Sequence, residues 1–533
     1  MKYTDERLNL AIYTFLSIRA MFVIPRLPLS LLLLLDIALC HPFDVQPQQT
    51  PLDTVHHISL HEIISPRPLH GRFLHITDLH PDPYYKFNTT VASGCHHFPK
   101  ERNGLKDKNK EERRAGYWGT PQSACDNSFA FVNFTLDWIE KEWADDIDFV
   151  IWTGDNARHD EDPSQPRTLE EIFDTNRYVA ERMHSIFAIR GIPVVPSLGE
   201  KCSINLVLKF WSLELVFQRG GYYSSELIDN QLAALSLNTL YFYEKNKATG
   251  GCSYRDEADP GNLQLDWMDV QLEQFRSRGM KVWLTGHVPP TPDNYYNECF
   301  FFLDAEHLKE EPEEEELFSK KDQIHKSLKK HLKKISKKKE KKDEIVVVNV
   351  APAGVGNPYQ PGLRVFAYNH TGETGIGSGV GRSDTNGSEE DIKGDENPWE
   401  KPKKCKKRKN LDKWECRGPE KEWYSGKQGP ARKNTLWTPL GYSQFWVPDL
   451  GSRNEREPPT WELEYVTYGR EGFEERLPAK LAEKILANLT DEHIPYEMVD
   501  LTLDSWLDLV EKIRNKKKQW KKFKERMYLS RGQ

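Results

Sequence analysis

The chain has 533 residues, of which 38 % are hydrophobic and 29 % charged, with a net charge of −7 and eight cysteines. A core of that size needs no disulfide or metal staples, and cysteines scattered without any C-x-x-C pair do not suggest a zinc ribbon. The small net charge gives no expectation of nucleic acid as a partner, and charge is concentrated locally: an acidic block from Glu310 to Glu316 is followed by twelve lysines between Lys320 and Lys342.

Residues 1–40 are expected to be a signal peptide or signal anchor. Arg19 and Arg26 precede the apolar run Leu27 to Cys40, which is short for a membrane span and suits a secretory h-region. Residues 41–70 read as a leader. Entry into the secretory pathway agrees with five N-x-S/T sequons, at Asn88, Asn133, Asn369, Asn386 and Asn488. With Cys40 set aside in the leader, proximity pairs Cys95 with Cys125, Cys252 with Cys299 and Cys405 with Cys416, leaving Cys202 odd.

From Gly71 onward strands and helices alternate. "RFLHIT" reads as a strand ending in a loop, "TLDWIEKEW" as a helix, "IDFVIWTGDN" as a strand running into a loop, "TLEEIFDTNRYVAERMHSIF" as a helix and "GIPVVPSLG" as a strand and turn. "YYSSELI" and "LAALSLNTLYFY" read as paired strands, "NLQLDWMDVQLEQFRSRG" as an amphipathic helix and "MKVWLTGHVPP" as a strand and loop. The main domain is assigned to 71–370, with a Lys-rich amphipathic insertion at 318–342. Residues 371–411 hold almost nothing to bury and read as a disordered linker. The rest, 412–533, reads as a C-terminal extension: a Trp-rich stretch, then helices at Pro478 to Glu492 and Leu501 to Lys524.

Groups able to do chemistry fall just after three strands: Asp78 and His80, then Asp155, then His287. Carboxylates and imidazoles suit hard or borderline divalent ions, and a two-ion centre needs one carboxylate able to bridge. "ITDLHPDPYY", "IWTGDNARHD" and "LTGHVPP" resemble the D-x-H, G-D-x-x-x-H-D and G-H blocks of calcineurin-like metallophosphoesterases. The wider text, including "RAGYWGTPQSACD", "FQRGGYYSSELI" and "SLNTLYFYEKNKATGGC", is similar to the fungal vacuolar endopolyphosphatases.

The resemblance implies an α/β sandwich of two mixed sheets flanked by helices, two divalent metal ions, and hydrolysis of internal phosphoanhydride bonds in inorganic polyphosphate. Asp78 and His80 would bind the first ion, Asp155 would bridge and His287 would bind the second. His159 would act as general acid, and Arg158 would neutralise phosphate charge or else form a loop salt bridge. The implied address is the vacuole membrane, held through the N-terminal segment with the catalytic domain in the lumen.

The chain departs from that pattern twice. After "VVPSLG" the family carries an asparagine-containing G-N-N-D block, where this chain reads Gly199-Glu200-Lys201-Cys202-Ser203. After "NYYNECF" the family's G-H-x-N-x-D-H block is missing, and His307 sits in a helix-like start. Three expected ligands are therefore absent, which implies weak metal binding and reduced activity. The alternatives are a sphingomyelinase-like phosphodiesterase or acid phosphatase, which shares the first motifs, and an inactive polyphosphate-binding membrane protein. The latter would use the lysines at 320–342 and 401–409.

Overall fold

The computed structural model describes residues 67–99, 113–199, 220–296 (save 254, 255, 257, 292 and 293), 299, 332, 345–372 (save 358) and 429–526. The expected signal segment, the leader apart from 67–70, the Lys-rich insertion apart from Leu332, the linker apart from 371 and 372, and Cys202, Cys405, Cys416 and Asn386 lie outside these residues.

Among the described residues, nine strands form two mixed sheets. In the first, β1 (Arg72–Ile76), β2 (Phe149–Trp152) and β3 (Val194–Pro196) run parallel, and β7 (Gly362–Tyr368), β8 (Pro439–Trp446) and β9 (Glu462–Val466) continue antiparallel in the order β3-β2-β1-β7-β8-β9. The second sheet pairs β4 (Tyr223–Ile228) antiparallel with β5 (Leu232–Ser236), and β5 parallel with β6 (Lys281–Thr285).

Strand alternation sorts the core into layers, because successive side chains point to opposite faces. Leu74, Ile76, Val150, Trp152 and Val194 pack on one face with α1 (Phe129–Trp143) and α2 (Leu169–Ile186). Phe73, Phe149, Ile151 and Val195 point the other way, against Leu232 and Ala234 of the second sheet. Ala233 and Leu235 face outward onto Leu265, Met268 and Phe275 of α3 (Pro260–Ser277). The order is thus helices, sheet, sheet, helix, as expected for a metallophosphoesterase-like sandwich.

The helices start where their caps dictate. Ser128 and Thr168 accept from the backbone N–H three residues on, and Asp259 caps α3 ahead of Pro260 at the first turn. Each such cap is worth about 1 kcal/mol. Because β1, β2 and β3 run parallel, the connections that leave them start at one end of the sheet.

The segment read as an extension does more than pack on the core: β8 and β9 belong to the first sheet itself. Its longer helices are α4 (Ala479–Leu486), α5 (Leu503–Asn515) and α6 (Lys517–Arg526), preceded by a single turn at Phe473–Arg476. The single terminal helix expected there is broken at Lys516, whose backbone is extended, and the break lets Trp520 return to the core beside Leu509 and Ile513. Disulfides join Cys95 to Cys125 and Cys252 to Cys299. No helix among the described residues is long and apolar enough to cross a membrane.

Candidate metal centre

Three strand ends build the site. β1 leads into Asp78 and His80, β2 into Asp155, and β6 of the other sheet into His287. Asp78, His80 and Asp155 all have left-handed backbones, with φ of 54°, 39° and 58°. Non-glycine residues adopt that region at a cost, and such strain gathers at functional sites. Asp78 N–H donates to Gly154 O at 2.9 Å, which locks the first two loops together. Gly199, at the end of the β3 loop, lies against Asp155 so closely that a Cβ there would come within 2.5 Å of the Asp155 nitrogen. The two sheets meet through Ser197 Oγ, 2.9 Å from Ser236 Oγ and 3.1 Å from Thr285 Oγ1.

The ring nitrogens of the two histidines are differentiated by their partners. His80 Nδ1 lies 2.6 Å from Ala157 O and His287 Nδ1 lies 2.9 Å from Thr153 O. A carbonyl can only accept, so both Nδ1 atoms carry a proton and both Nε2 atoms are turned to the site. Those Nε2 atoms face carboxylates: His80 Nε2 is 3.5 Å from Asp78 Oδ1 and 3.6 Å from Asp155 Oδ2, and His287 Nε2 is 3.9 Å from Asp155 Oδ2. These separations are too long for good hydrogen bonds. Imidazole nitrogens and carboxylate oxygens that converge in this partly buried pocket suit a cation, so this donor set fits a divalent ion. Burial raises the Asp78 pKa, but His287, His80 and Thr77 outweigh it and hold the carboxyl well below the usual range.

His159 stands beside this set, its ring stacked on His80 at 4.5 Å. Its Nδ1 lies 2.7 Å from Asp126 Oδ1, and its backbone N–H donates to Asp126 Oδ2. Asp126 was not singled out in the sequence. Its only signal there was its position inside the matched stretch "PQSACD", which gave it no role. His80, Asp126 and His159 form a second group of converging donors that shares His80 with the first.

Arg158 is placed differently from its expected role of neutralising phosphate. Its side chain is fully buried, with Nε 2.5 Å from Glu171 Oε1, Nη2 3.1 Å from Glu171 Oε2 and a further donation to Gln165 O at 2.8 Å. A guanidinium held in this way is not presented to a ligand; the ion pair it makes is buried and reaches a helix, unlike the surface-loop salt bridge of the alternative reading. Among the sequons, Asn88 and Asn488 are exposed and Asn133 is half-buried on α1. Asn369 is buried, and its amide nitrogen donates to Asn434 Oδ1 at 2.9 Å. Glu200 and His307, the nearest substitutes for the missing ligands, lie outside the described residues.

No protein-family model matches the chain. A curated endopolyphosphatase of Cryptococcus neoformans var. neoformans is 34 % identical over 630 aligned residues, covering 87 % of this chain and 92 % of that protein. The chain belongs to the endopolyphosphatase family. Endopolyphosphatases of Yarrowia lipolytica and Saccharomyces cerevisiae are each 38 % identical over 44 % of this chain, covering 40 % and 37 % of their own lengths. In the Cryptococcus alignment, 87 % of 533 residues is about 464, fewer than the 630 aligned positions, so the chain is set against a relative that carries segments it lacks.

Proposed function

We propose that the protein is an endopolyphosphatase that cleaves internal phosphoanhydride bonds of inorganic polyphosphate at a two-ion centre held by Asp78, His80, Asp155 and His287. The observation that carries this reading is the convergence of two carboxylates and two Nε2 atoms in a chain of this family. Bound divalent ions would supply Lewis acidity toward the phosphoryl oxygens and lower the pKa of water. Asp155, lying between His80 and His287, bridges the two halves of the site. His80 and His287 stay in the tautomer that Ala157 O and Thr153 O impose. His159, oriented by Asp126, holds a proton for the oxygen of the departing phosphate. Arg158 takes no part in this step.

The missing blocks bear on the strength of the site. With four ligands for two ions we expect weak metal affinity, and activity that saturates only at high metal concentration. We place the enzyme in the secretory pathway at the vacuole membrane, its catalytic domain lumenal. Two buried disulfides suit an oxidising compartment, and exposed Asn88 and Asn488 are free of structural obstacles to a glycan.

The test is to incubate purified protein with long-chain polyphosphate and rising magnesium, manganese or zinc, reading chain length on gels. Shortening to intermediate lengths that a chelator stops, and that Asp155→Asn reduces at least about 100-fold, is the expected result. Polyphosphate left at full length at every metal concentration, with salt-sensitive binding retained, would replace the enzyme with a binding protein. Cleavage of phosphodiesters alone would replace the substrate.

A further inference from the structure

A second polar cluster lies outside the metal centre and joins the two loops that build it. His96 Nε2 is 2.8 Å from Asp82 Oδ2, and His96 Nδ1 is 2.9 Å from Asp162 Oδ2. All three are buried, at 5 %, 3 % and 5 % exposure. Asp82 follows His80 by two residues on the loop after β1, and Asp162 follows His159 by three on the loop after β2. His97 Nε2 also approaches Asp162 Oδ2, at 2.8 Å, while Ser164 N and Oγ donate to Asp162 Oδ1 at 2.9 and 2.7 Å. The Cys95–Cys125 disulfide fixes the loop carrying His96 to the segment that carries Asp126, the partner of His159.

Distance separates this cluster from the metal centre. There the nitrogens facing carboxylates stand 3.5 to 3.9 Å away and each ring proton is committed to a carbonyl. Here both nitrogens of one ring are at hydrogen-bond distance from carboxylate oxygens, the geometry of direct hydrogen bonds, although His96, His97 and Asp162 also converge closely enough to be a candidate ion site. Ionised carboxylates only accept, so His96 must donate from both nitrogens, and a histidine that does so is an imidazolium.

We propose that protonated His96 is a positioning residue: it clamps Asp82 to Asp162, and so holds the loop of Asp78 and His80 in register with the loop of Asp155 and His159. The catalytic consequence rests on the endopolyphosphatase reading; the clamp itself does not. The groups facing it are Asp82 and Tyr84 from the first loop, His97 from its own loop and Asp162 from the second, with Arg158 Nε 4.0 Å behind Asp82 Oδ1. Burial lowers the His96 pKa, but Asp82 and Asp162 outweigh it and raise the value above the ordinary one. A raised histidine pKa contributes stability that is complete below the unfolded value of about 6.5 and is lost as pH climbs through the folded value. Neutral His96 has one donor, so one of the two carboxylates loses its bond to His96 and the link between the two loops is broken.

Asp162→Asn separates a pH-dependent clamp from a merely packed histidine. Its amide nitrogen would take the place of Oδ2 and donate to Nδ1 of neutral His96, while its oxygen keeps Ser164. The thermal midpoint of the wild type should therefore fall by about 3 °C more than that of Asp162→Asn between pH 6 and 9, and His96→Gln should be low at every pH. With polyphosphate and saturating metal, kcat/KM of the wild type should drop about tenfold over the same interval, with the drop absent in Asp162→Asn. Parallel midpoint curves for wild type and Asp162→Asn would overturn the clamp. So would the loss of a tightly bound metal ion from His96→Gln, which would make the cluster an ion site. A wild type with no activity but the expected midpoint difference would leave the clamp standing and remove the enzyme reading alone.

Discussion

Ala157 and Arg158 are neighbours in the loop after β2 with opposite orientations. The carbonyl of Ala157 fixes the tautomer of His80, and the guanidinium of Arg158 turns away to Glu171 on α2. The ion pair thus holds in place the backbone oxygen that presents His80 to the site. Removing one partner of a buried pair leaves the other uncompensated, at a cost of about 3 to 5 kcal/mol. Arg158→Leu is expected to lose about 3 kcal/mol of unfolding free energy in denaturant titration, whereas the double variant Arg158→Leu with Glu171→Leu should recover part of it. An Arg158→Leu protein of native stability with a raised KM for polyphosphate would return the residue to the substrate. The sequence could show that Arg158 stood near the chemistry, but not which way it pointed. That depended on Glu171, thirteen residues on and one turn into a helix.

At the scale of elements, the strands that carry the site were legible and their neighbours were not. β1, β2 and β6 are apolar runs ending in polar or glycine-bearing loops; β1 and β2 are buried between layers, whereas β6 is the partly exposed edge of the second sheet. β7 and β8 carry Arg364 and Gln444 at interior positions, which breaks the apolar pattern. In the sheet those two residues are register partners, joined at 2.8 Å, and Gln444 passes the chain of hydrogen bonds to Glu464 of β9 at 2.6 Å. A buried polar row that satisfies itself across three strands looks like surface in one dimension. Its aromatic surroundings are what the Trp-rich composition recorded: Arg364 lies over the Tyr442 ring at 4.1 Å. The join between the parallel and antiparallel halves is a stack on the inner face, where Phe73 of β1 lies between Phe149 of β2 and Phe366 of β7 at 5.0 and 4.8 Å. Phe73→Ala should cost about 4 kcal/mol, read as a lower denaturation midpoint with an unchanged slope. A loss below about 1 kcal/mol would mean that the inner layer repacks and that the stack does not hold the halves together.

At the scale of the molecule, the site draws on both sheets, since His287 enters from β6 while its three companions come from β1 and β2. Any change that lets the sheets slide separates His287 from Asp155, so the centre depends on the inner layer as a whole. That layer includes residues from far along the chain: Tyr442, Tyr465, Leu509, Ile513 and Trp520 share it with Phe73, Phe149 and Leu232. Composition suggested a boundary near residue 412, because a long polar stretch precedes it and chain order hides which strands will pair. If 412–533 were a separable extension, a protein ending at 372 would fold and keep its ligands. The pairing argues otherwise: without β8, strand β7 becomes an open edge with Leu363 and Val365 uncovered on one face and Phe366 on the other. Exposed apolar edges of that kind pair with other chains. We expect the truncated protein to be insoluble, or to unfold without a cooperative transition. Co-expressing residues 412–533 as a separate chain should recover soluble material if the strands can dock in trans. A soluble 1–372 protein with a sharp thermal transition and metal-dependent activity would show that the first sheet closes without its last two strands.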